Sequence, residues 1–322
     1  MLPLQTELGS ASRARRAAAQ TSLSRAVRLS GIGVHSNAPV RLWLRPAPAN
    51  TGIVFKRAGA PRPLAALCAN VVDTTLCTAL GDANGIVVGT VEHLLAACAG
   101  LGIDNLRVDI DGPELPAFDG SAAVFVDAID KAGRIEIAHT RRTLRVVKPV
   151  RVQHGAAFAE FLPAETGLTL DIAIDFADPV IGYQRKIVTI DPGTFRRELM
   201  RARSFGFVRD LAGLQARGLA RGASLDNTLA LLEDAVLNCE GLRFPDECVR
   251  HKMLDVLGDL ALAGAPISGI FRSYRGGHAL NVAAVQALMC DPSAFVREPA
   301  EQRRDPGVTY SPHAAEKAAL FP

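Results

Sequence analysis

The sequence has no run of apolar residues long enough to cross a bilayer, which takes roughly 18 or more in succession. We therefore expect a soluble protein. The N-terminal segment contains arginines but no apolar core, so it is not expected to be a secretory signal. Its Ala-, Arg- and Ser-rich composition would suit an organellar transit peptide, although a disordered extension or an over-called start codon fits better.

The chain also has little net charge, with 36 Lys and Arg against 33 Asp and Glu, a balance of +3. Residues 1–36 hold five arginines against Glu7, which leaves the rest of the chain almost neutral. A neutral body lacks the broad basic surface of nucleic-acid-binding proteins. We therefore expect no nucleic-acid partner, and no feature of the sequence indicates a particular protein partner.

The six cysteines include no C-x-x-C pair. Zinc-dependent nucleobase deaminases bind their metal through such a pair, so this class of enzyme is excluded. Six dispersed cysteines are too sparse for a disulfide scaffold, and Cys98, for example, lies in an apolar context. This pattern predicts reduced, mostly buried thiols in a cytosolic protein.

What the chain does have is length and apolar content: 322 residues, 48% of them hydrophobic, which is enough for a sizeable core and for about two domains. A basic segment at residues 141–149 marks a change of composition, and we place the domain boundary there. The expected division is a disordered extension at 1–22, domain I at 23–145, domain II at 146–297 and a weakly ordered tail at 298–322.

Strand patterns precede helix patterns in both halves of the chain. In the first half, strands are predicted at 40–44, from 52 to 55 and at 85–89, and helices at 91–100, with Thr90 as N-cap, and at 122–132. In the second half, strands are predicted at 150–152, 157–161, 168–176 and 268–274, and helices at 193–203, at 246–262 and from Leu280. Strands followed by helices, twice, predict an α+β fold of two similar domains, each a β-sheet layered with helices, with the helices packed between the two sheets.

His251 and Asp255 are four residues apart in the predicted helix 246–262, so their side chains lie on one face, one turn apart. Asp259 extends this face by another turn. An imidazole and a carboxylate in this arrangement are suitable zinc ligands, but zinc needs a third ligand from elsewhere. An isolated pair of this kind is usually an exposed surface pair. Here the opposite face is apolar, which indicates a packed helix.

The candidate third ligand is His93. Adjacent residues on a helix point about 100° apart, so Glu92 and His93 cannot both bind one small ion comfortably. They could divide the work, with His93 on a metal and Glu92 holding a water molecule. His278 follows two glycines that allow the backbone to approach a site closely. Each of these signals is weak alone, but their combination is not.

At these residues the chain resembles the UDP-3-O-acyl-N-acetylglucosamine deacetylase family, the zinc amidases that commit bacteria to lipid A synthesis. The resemblance runs in order from about residue 22 to residue 296. The matching segments are Gly31–Ser36, Leu44–Gly52, Thr90–Leu94, Gly100–Asn105, Phe118–Ala123, Ala202–Phe207, Asn238–Phe244, Arg250–Asp255 and Gly277–Asn281.

The resemblance implies one Zn²⁺ per chain, held by His93, His251 and Asp255 with a fourth position open. It also implies Glu92 as general base and His278 as its protonated partner, oriented by Asp259. These roles agree with the chemistry of amide hydrolysis, which needs a polarised carbonyl, a base for water and an acid for a poor amine leaving group.

The resemblance further implies two groups of substrate-binding residues. The positions near the uridine diphosphate are Lys252, Asp175 and Phe176, and those of the acyl-chain passage are Phe205, Phe207, Val208 and Leu211. Ser204 stands where the family commonly has a threonine that helps to bind the oxyanion. The hydroxyl is kept, but without the methyl group its rotamer is less fixed.

The implied reaction removes the N-acetyl group of UDP-3-O-(3-hydroxyacyl)-N-acetylglucosamine to give the free amine and acetate, in the cytoplasm of a Gram-negative bacterium. A zinc deacetylase acting on another amide is an alternative within enzymes. A nucleotide-sugar binding protein is an alternative outside them, and it would need no set of three metal ligands.

Overall fold

A computed structural model describes residues 17–300, apart from the side chain of Ile86. Residues 1–16 of the expected extension and residues 301–322 of the expected tail lie outside the described residues. The strands are β1 Ala19–Leu23, β2 Val27–Ile32, β3 Pro39–Pro46, β4 Ile53–Arg57, β5 Leu64–Ala65, β6 Val71–Asp73, β7 Ala79–Asp82, β8 Gly85–Val88, β9 Leu106–Ile110, β10 Arg134–Thr140, β11 Arg142–Val146, β12 Val150–His154, β13 Ala157–Leu162, β14 Leu168–Asp175, β15 Tyr183–Ile190, β16 Phe205–Phe207, β17 Leu229–Leu231, β18 Ile267–Tyr274 and β19 Phe295–Pro299. The helices are α1 Glu92–Leu101, α2 Ala123–Ala132, α3 Pro192–Glu198, α4 Val208–Ala216, α5 Glu247–Leu260 and α6 His278–Cys290.

Two larger sheets form the outer layers. The first has the order β2-β3-β9-β4-β5, and the second is built around β18, which pairs with β13, β14 and β11. Helix α2 packs against β2 of the first sheet, whereas α5 packs against β14 and α6 against β12 and β13 of the second. Helices α1 and α5 pack against each other. These four helices therefore lie between the two sheets, and the predicted α+β fold is confirmed.

Helices α1 and α5 are buried on nearly all sides, as expected for helices that lie between layers rather than at the surface. Nine of the ten residues of α1 and twelve of the fourteen residues of α5 are buried. The two helices approach closely at Gly258, where an added Cβ would lie 2.0 Å from the carbonyl oxygen of Glu92. Only glycine permits this approach, which brings the polar face of α5 next to the start of α1.

Three expected boundaries are wrong because strand pairing crosses them. Strand β1 starts at Ala19 and pairs with β10, so ordered structure begins before Leu23. Strand β11 joins β18 and β19 in the second sheet, so the division at 145/146 falls within a strand. Strand β19 extends to Pro299, beyond the expected start of the tail at 298.

Two helix predictions also need correction. Thr90 does not cap α1: its backbone lies in the left-handed region, with a φ of 56°, and its hydroxyl donates to the Glu114 carboxylate (3.0 Å). The helix predicted at 193–203 ends at Glu198. It stops there because the carbonyl of Ala202 and both backbone groups of Ser204 make hydrogen bonds outside the helix, to His251, Gly120 and Leu229.

No helix in residues 17–300 combines the length and the apolar character that crossing a membrane requires.

Candidate active site

Three buried side chains converge where helices α1 and α5 pack against each other. His93 comes from the first turn of α1, and His251 and Asp255 come from successive turns of α5. Oδ1 of Asp255 lies 3.3 Å from Nε2 of His251 and 3.6 Å from Nε2 of His93. The two imidazole rings meet edge to face, with centroids 5.1 Å apart.

The spacing of these three donor atoms fits one small divalent ion. All three lie within 4.8 Å of one another. Ligands in tetrahedral positions at zinc-like bond lengths of about 2.0–2.1 Å are separated by about 3.3 Å. Nδ1 of His251 lies 3.1 Å from the carbonyl oxygen of Ala202 and donates to it, so Nε2 carries the lone pair that a metal needs.

The surroundings also hold two of these ligands in their metal-binding protonation states. Burial lowers the pKa of His251 to about 4, so its imidazole is neutral near pH 7. Burial opposes ionisation of Asp255, but the neighbouring His251 and Lys252 hold the pKa of this carboxyl well below its usual value. The set therefore offers two imidazoles and one carboxylate, which is the donor chemistry of a catalytic rather than a structural zinc site.

Glu92 lies beside this set. Its Oε2 accepts a hydrogen bond from the backbone N–H of Thr78 (2.9 Å), which fixes the carboxylate next to His93. Burial raises the pKa of Glu92, and the positive charge of His278 offsets part of that effect. A buried carboxylate with a raised pKa is suited to accept a proton from water.

Asp259 and His278 form a second acid–base pair. Nδ1 of His278 donates to Oδ2 of Asp259 (2.9 Å), and Asp259 itself is fully buried. Burial disfavours the charged imidazolium, but the Asp259 carboxylate outweighs burial and raises the pKa of His278 to about 9. His278 is therefore protonated near neutral pH, with its second proton on Nε2.

Two residues that complete this pair were missed by the sequence analysis. The hydroxyl of Thr78 donates to Oδ1 of Asp259 (2.6 Å), and the amide of Asn281 donates to Oδ2 (2.9 Å). Asn281 could have been found, because it follows His278 by three residues and so shares its helix face. Nothing in the local sequence marks Thr78, which reaches the site from the loop before β7.

Ser204 lies just before β16, next to the segment whose Ala202 carbonyl orients His251. Its backbone N–H and its hydroxyl both donate to the carbonyl oxygen of Gly120, at 2.8 Å and 3.2 Å. The hydroxyl must therefore turn away from Gly120 to reach an oxyanion.

An aromatic cluster adjoins the ligands. The rings of Phe176 and Phe205 have centroids 6.0 Å apart, those of Phe176 and Phe207 6.2 Å, and the Phe205 ring lies 6.1 Å from that of His251. Nζ of Lys252 is 6.0 Å from the centre of the Phe205 ring and donates to Oδ2 of Asp255 (2.8 Å). The Lys252 ammonium, which is expected to bind the diphosphate, thus also holds the second carboxylate oxygen of Asp255.

The remaining predicted substrate residues are Asp175, Val208 and Leu211. The carboxylate of Asp175 accepts a hydrogen bond from the hydroxyl of Tyr274 (2.5 Å) at the end of β14. Val208 and Leu211 belong to α4, in which no residue is buried. An apolar helix face left partly exposed is available to an apolar ligand, but no described contact joins α4 to the three metal-ligand candidates.

Comparison with known sequences agrees with this geometry. The profile of the UDP-3-O-acyl N-acetylglycosamine deacetylase (LpxC) family matches residues 20–290. The chain belongs to this family. Proteins from Brucella ovis, Brucella canis and Brucella melitensis biotype 2, each named UDP-3-O-acyl-N-acetylglucosamine deacetylase, are 50% identical to it over 280 residues, which cover 86% of this chain and 97% of each relative.

Membership of the LpxC family confirms the resemblance read from the motifs. Enzymes of this family are metal-dependent deacetylases of lipid A biosynthesis, so the chain is an enzyme of that class. The matched region contains every one of the candidate site residues, from Glu92 to His278.

Proposed function

We propose that this protein hydrolyses the N-acetyl group of UDP-3-O-(3-hydroxyacyl)-N-acetylglucosamine, giving the free amine and acetate, with one Zn²⁺ held by His93, His251 and Asp255. The observation that carries the proposal is the convergence of three metal-ligand atoms with two separate acid–base groups, Glu92 and His278. A bound zinc ion supplies polarisation of the amide carbonyl and activation of the attacking water.

The protein side chains then divide the proton transfers. Glu92 takes a proton from the water molecule while the oxygen of that water bonds to the acetyl carbonyl carbon. The protonated His278 stabilises the oxyanion that develops, together with the hydroxyl of Ser204 once it has turned from Gly120. When the C–N bond breaks, His278 gives its proton to the departing amine. Asp259 keeps His278 protonated and fixes the orientation of its ring, and it holds the remaining proton on Nδ1 after Nε2 has given up its own.

The apolar and basic residues around the ligands suit the two ends of the substrate. We assign Lys252, Asp175 and Phe176 to the uridine diphosphate end, and Phe205, Phe207, Val208 and Leu211 to the acyl chain. A Lys ammonium is a mobile point charge that can serve both Asp255 and a diphosphate. We assign the enzyme to the cytoplasm of the Gram-negative bacteria that make lipid A, since its proposed substrate is UDP-linked.

The test is deacetylation of UDP-3-O-acyl-N-acetylglucosamine compared with UDP-N-acetylglucosamine, which lacks the acyl chain, combined with measurement of zinc content. We expect about one zinc per chain and turnover that depends strongly on the 3-O-acyl group. Equal turnover of both compounds would instead support a general amide deacetylase. Binding of the UDP-sugar with no release of acetate would support a binding protein.

Ser204 offers a sharper test of the oxyanion assignment. Ser204→Ala should lower kcat by roughly tenfold to several hundredfold, as loss of one oxyanion donor does, with little change in KM. Ser204→Thr restores the methyl group and should keep or raise the rate. Zinc content measured in parallel should stay constant, and a parallel loss of zinc and kcat in Ser204→Ala would show a structural role instead.

A further inference from the structure

Arg203 is the largest fully buried side chain among the described residues, with 2% of its surface exposed. Its Nε and Nη2 donate to the two carboxylate oxygens of Glu247 at 2.9 Å and 3.1 Å, and its backbone N–H donates to the same carboxylate at 3.0 Å. Nη1 donates to Glu240 (2.6 Å), and Nη2 also donates to the carbonyl of Gly241 (2.7 Å). A single side chain therefore ties three segments of the chain together.

The residues on either side of Arg203 both act in the site. The carbonyl of Ala202 accepts the hydrogen bond that orients His251, and Ser204 carries the hydroxyl assigned to the oxyanion. Glu247 lies in the first turn of α5, one turn before His251. The Arg203–Glu247 pair thus joins the segment 202–204 directly to the helix that carries two of the metal-ligand candidates.

Glu247 is also connected to Ser204 by a second route, through Arg243 and the loop that contains Gly120. Its Oε2 accepts from the backbone N–H of Arg243 (2.6 Å), and Nη1 of Arg243 donates to Asp119 (2.8 Å). Asp119 precedes Gly120, whose carbonyl accepts both hydrogen bonds from Ser204. An added Cβ at Gly120 would lie 2.1 Å from the carbonyl oxygen of Asn227, so this loop has no room to shift toward that neighbour.

Stability alone is a weak reason for such a pair, because apolar residues of similar volume often stabilise a core as well as a buried ion pair does. What apolar residues cannot do is fix backbone segments in direction. A guanidinium donates in a rigid planar fork, and a carboxylate accepts along defined directions. The pair is therefore better explained by positioning than by stability.

We propose that Arg203 and Glu247 are positioning residues that fix the hydroxyl of Ser204 relative to His251 on α5. This proposal rests on the proposed function, in which Ser204 stabilises the oxyanion. Neither residue touches the substrate: they act by holding the segment 202–204 at one distance and orientation from the helix.

The primary variant is Arg203→Lys, which keeps the charge but cannot donate to Glu247, Glu240 and Gly241 in one plane. We expect kcat to fall roughly tenfold, because small misplacements of a catalytic group are costly, while KM changes by less than about twofold. Zinc content should stay at the wild-type level. A thermal unfolding scan records the accompanying loss of stability.

The readout that a merely structural role would not move is the coupling between Arg203 and Ser204. If Arg203 acts through the Ser204 hydroxyl, Arg203→Lys should change kcat by less than about twofold in a Ser204→Ala background. If Arg203 only supports the fold, its effect on kcat should be the same in both backgrounds, and this result overturns the proposal.

Arg250→Lys is the matched control. Arg250 lies on α5 and, like Arg203, is mostly buried with two carboxylate partners, here Asp246 and Glu198. None of the described hydrogen bonds joins Arg250 to Arg203 or Ser204. Its substitution should lower the unfolding temperature while kcat stays within about twofold of wild type. An equal loss of kcat in Arg250→Lys would show that loosening α5 anywhere is enough, which also overturns the proposal.

Glu240→Gln keeps the proposal testable if Arg203→Lys does not fold. Half of the Glu240 side chain is exposed, so the variant weakens one hydrogen bond to Arg203 without leaving a buried charge unpaired. A smaller loss of kcat is expected, again absent in the Ser204→Ala background. If Ser204→Ala alone leaves kcat unchanged, the oxyanion assignment fails. If Ser204→Ala lowers kcat and Arg203 is uncoupled, only the positioning proposal fails.

Discussion

Chelation of the purified protein should abolish deacetylation, and added zinc should restore it, because His93, His251 and Asp255 supply the ligands of one divalent ion. His251→Gln and Asp255→Ala should each lose the ion, since two protein ligands hold it poorly. Their loss of kcat/KM should exceed the roughly 10–100-fold loss seen when only an outer partner of a metal ligand is removed. Metal content by elemental analysis and acetate release are the two measurements.

His154→Gln is the control for the histidine variant, because His154 is exposed on β12 and is neither a metal-ligand candidate nor one of the acid–base groups. It should keep both zinc and wild-type turnover. Full activity after exhaustive chelation, or full zinc content in Asp255→Ala, would contradict the assignment of these ligands.

The helical part of the site could be predicted from the sequence because helix geometry is local. The four-residue spacing of His251 and Asp255 fixes their common face wherever the helix packs, and Asn281 follows His278 by the same kind of rule. That His93 meets them depends on the contact between α1 and α5, and no periodicity within either helix predicts it. The close approach at Gly258 that permits this contact appears only in the folded chain.

The remaining errors have a common physical cause, which is pairing over long distances in the sequence. Strand β1 is held by β10, more than a hundred residues later, so its short polar-apolar sequence gave no sign of order. Arg203 would be expected at the surface from its charge alone. It is buried because Glu247 and Glu240 provide partners from another part of the chain.

The rate of deacetylation should have a bell-shaped dependence on pH, because Glu92 must be unprotonated and His278 protonated. Activity rises as pH increases through the pKa of Glu92, which burial places above the usual value for a glutamate. It falls as pH increases through the pKa of His278, which Asp259 raises to about 9 against the opposing effect of burial. The profile of kcat/KM in the free enzyme measures both groups.

Three substitutions separate the two limbs. Glu92→Gln should flatten the acid limb and His278→Gln should change the alkaline one, each at a cost on the order of 10² to 10⁴ in rate. Asp259→Asn keeps the shape of the partner but removes its charge, so the pKa of His278 should fall and the alkaline limb should move to lower pH. All three should retain zinc, since none of these residues is a ligand.

The double variant Glu92→Gln/His278→Gln tests whether the two groups serve one proton-transfer sequence. Glu92 receives a proton as the water attacks, and His278 gives one as the amine leaves, so removing either group already blocks the sequence. The double variant should therefore lose less than the product of the two single losses. Fully multiplicative losses, loss of zinc from Glu92→Gln, or an alkaline limb that stays in place in Asp259→Asn would each contradict this division of roles. A shift of the alkaline limb that exceeds any shift of the acid limb is the result that assigns the proton donor to His278, because Asp259 accepts a hydrogen bond from Nδ1 of His278, whereas it acts on the pKa of Glu92 only through its charge.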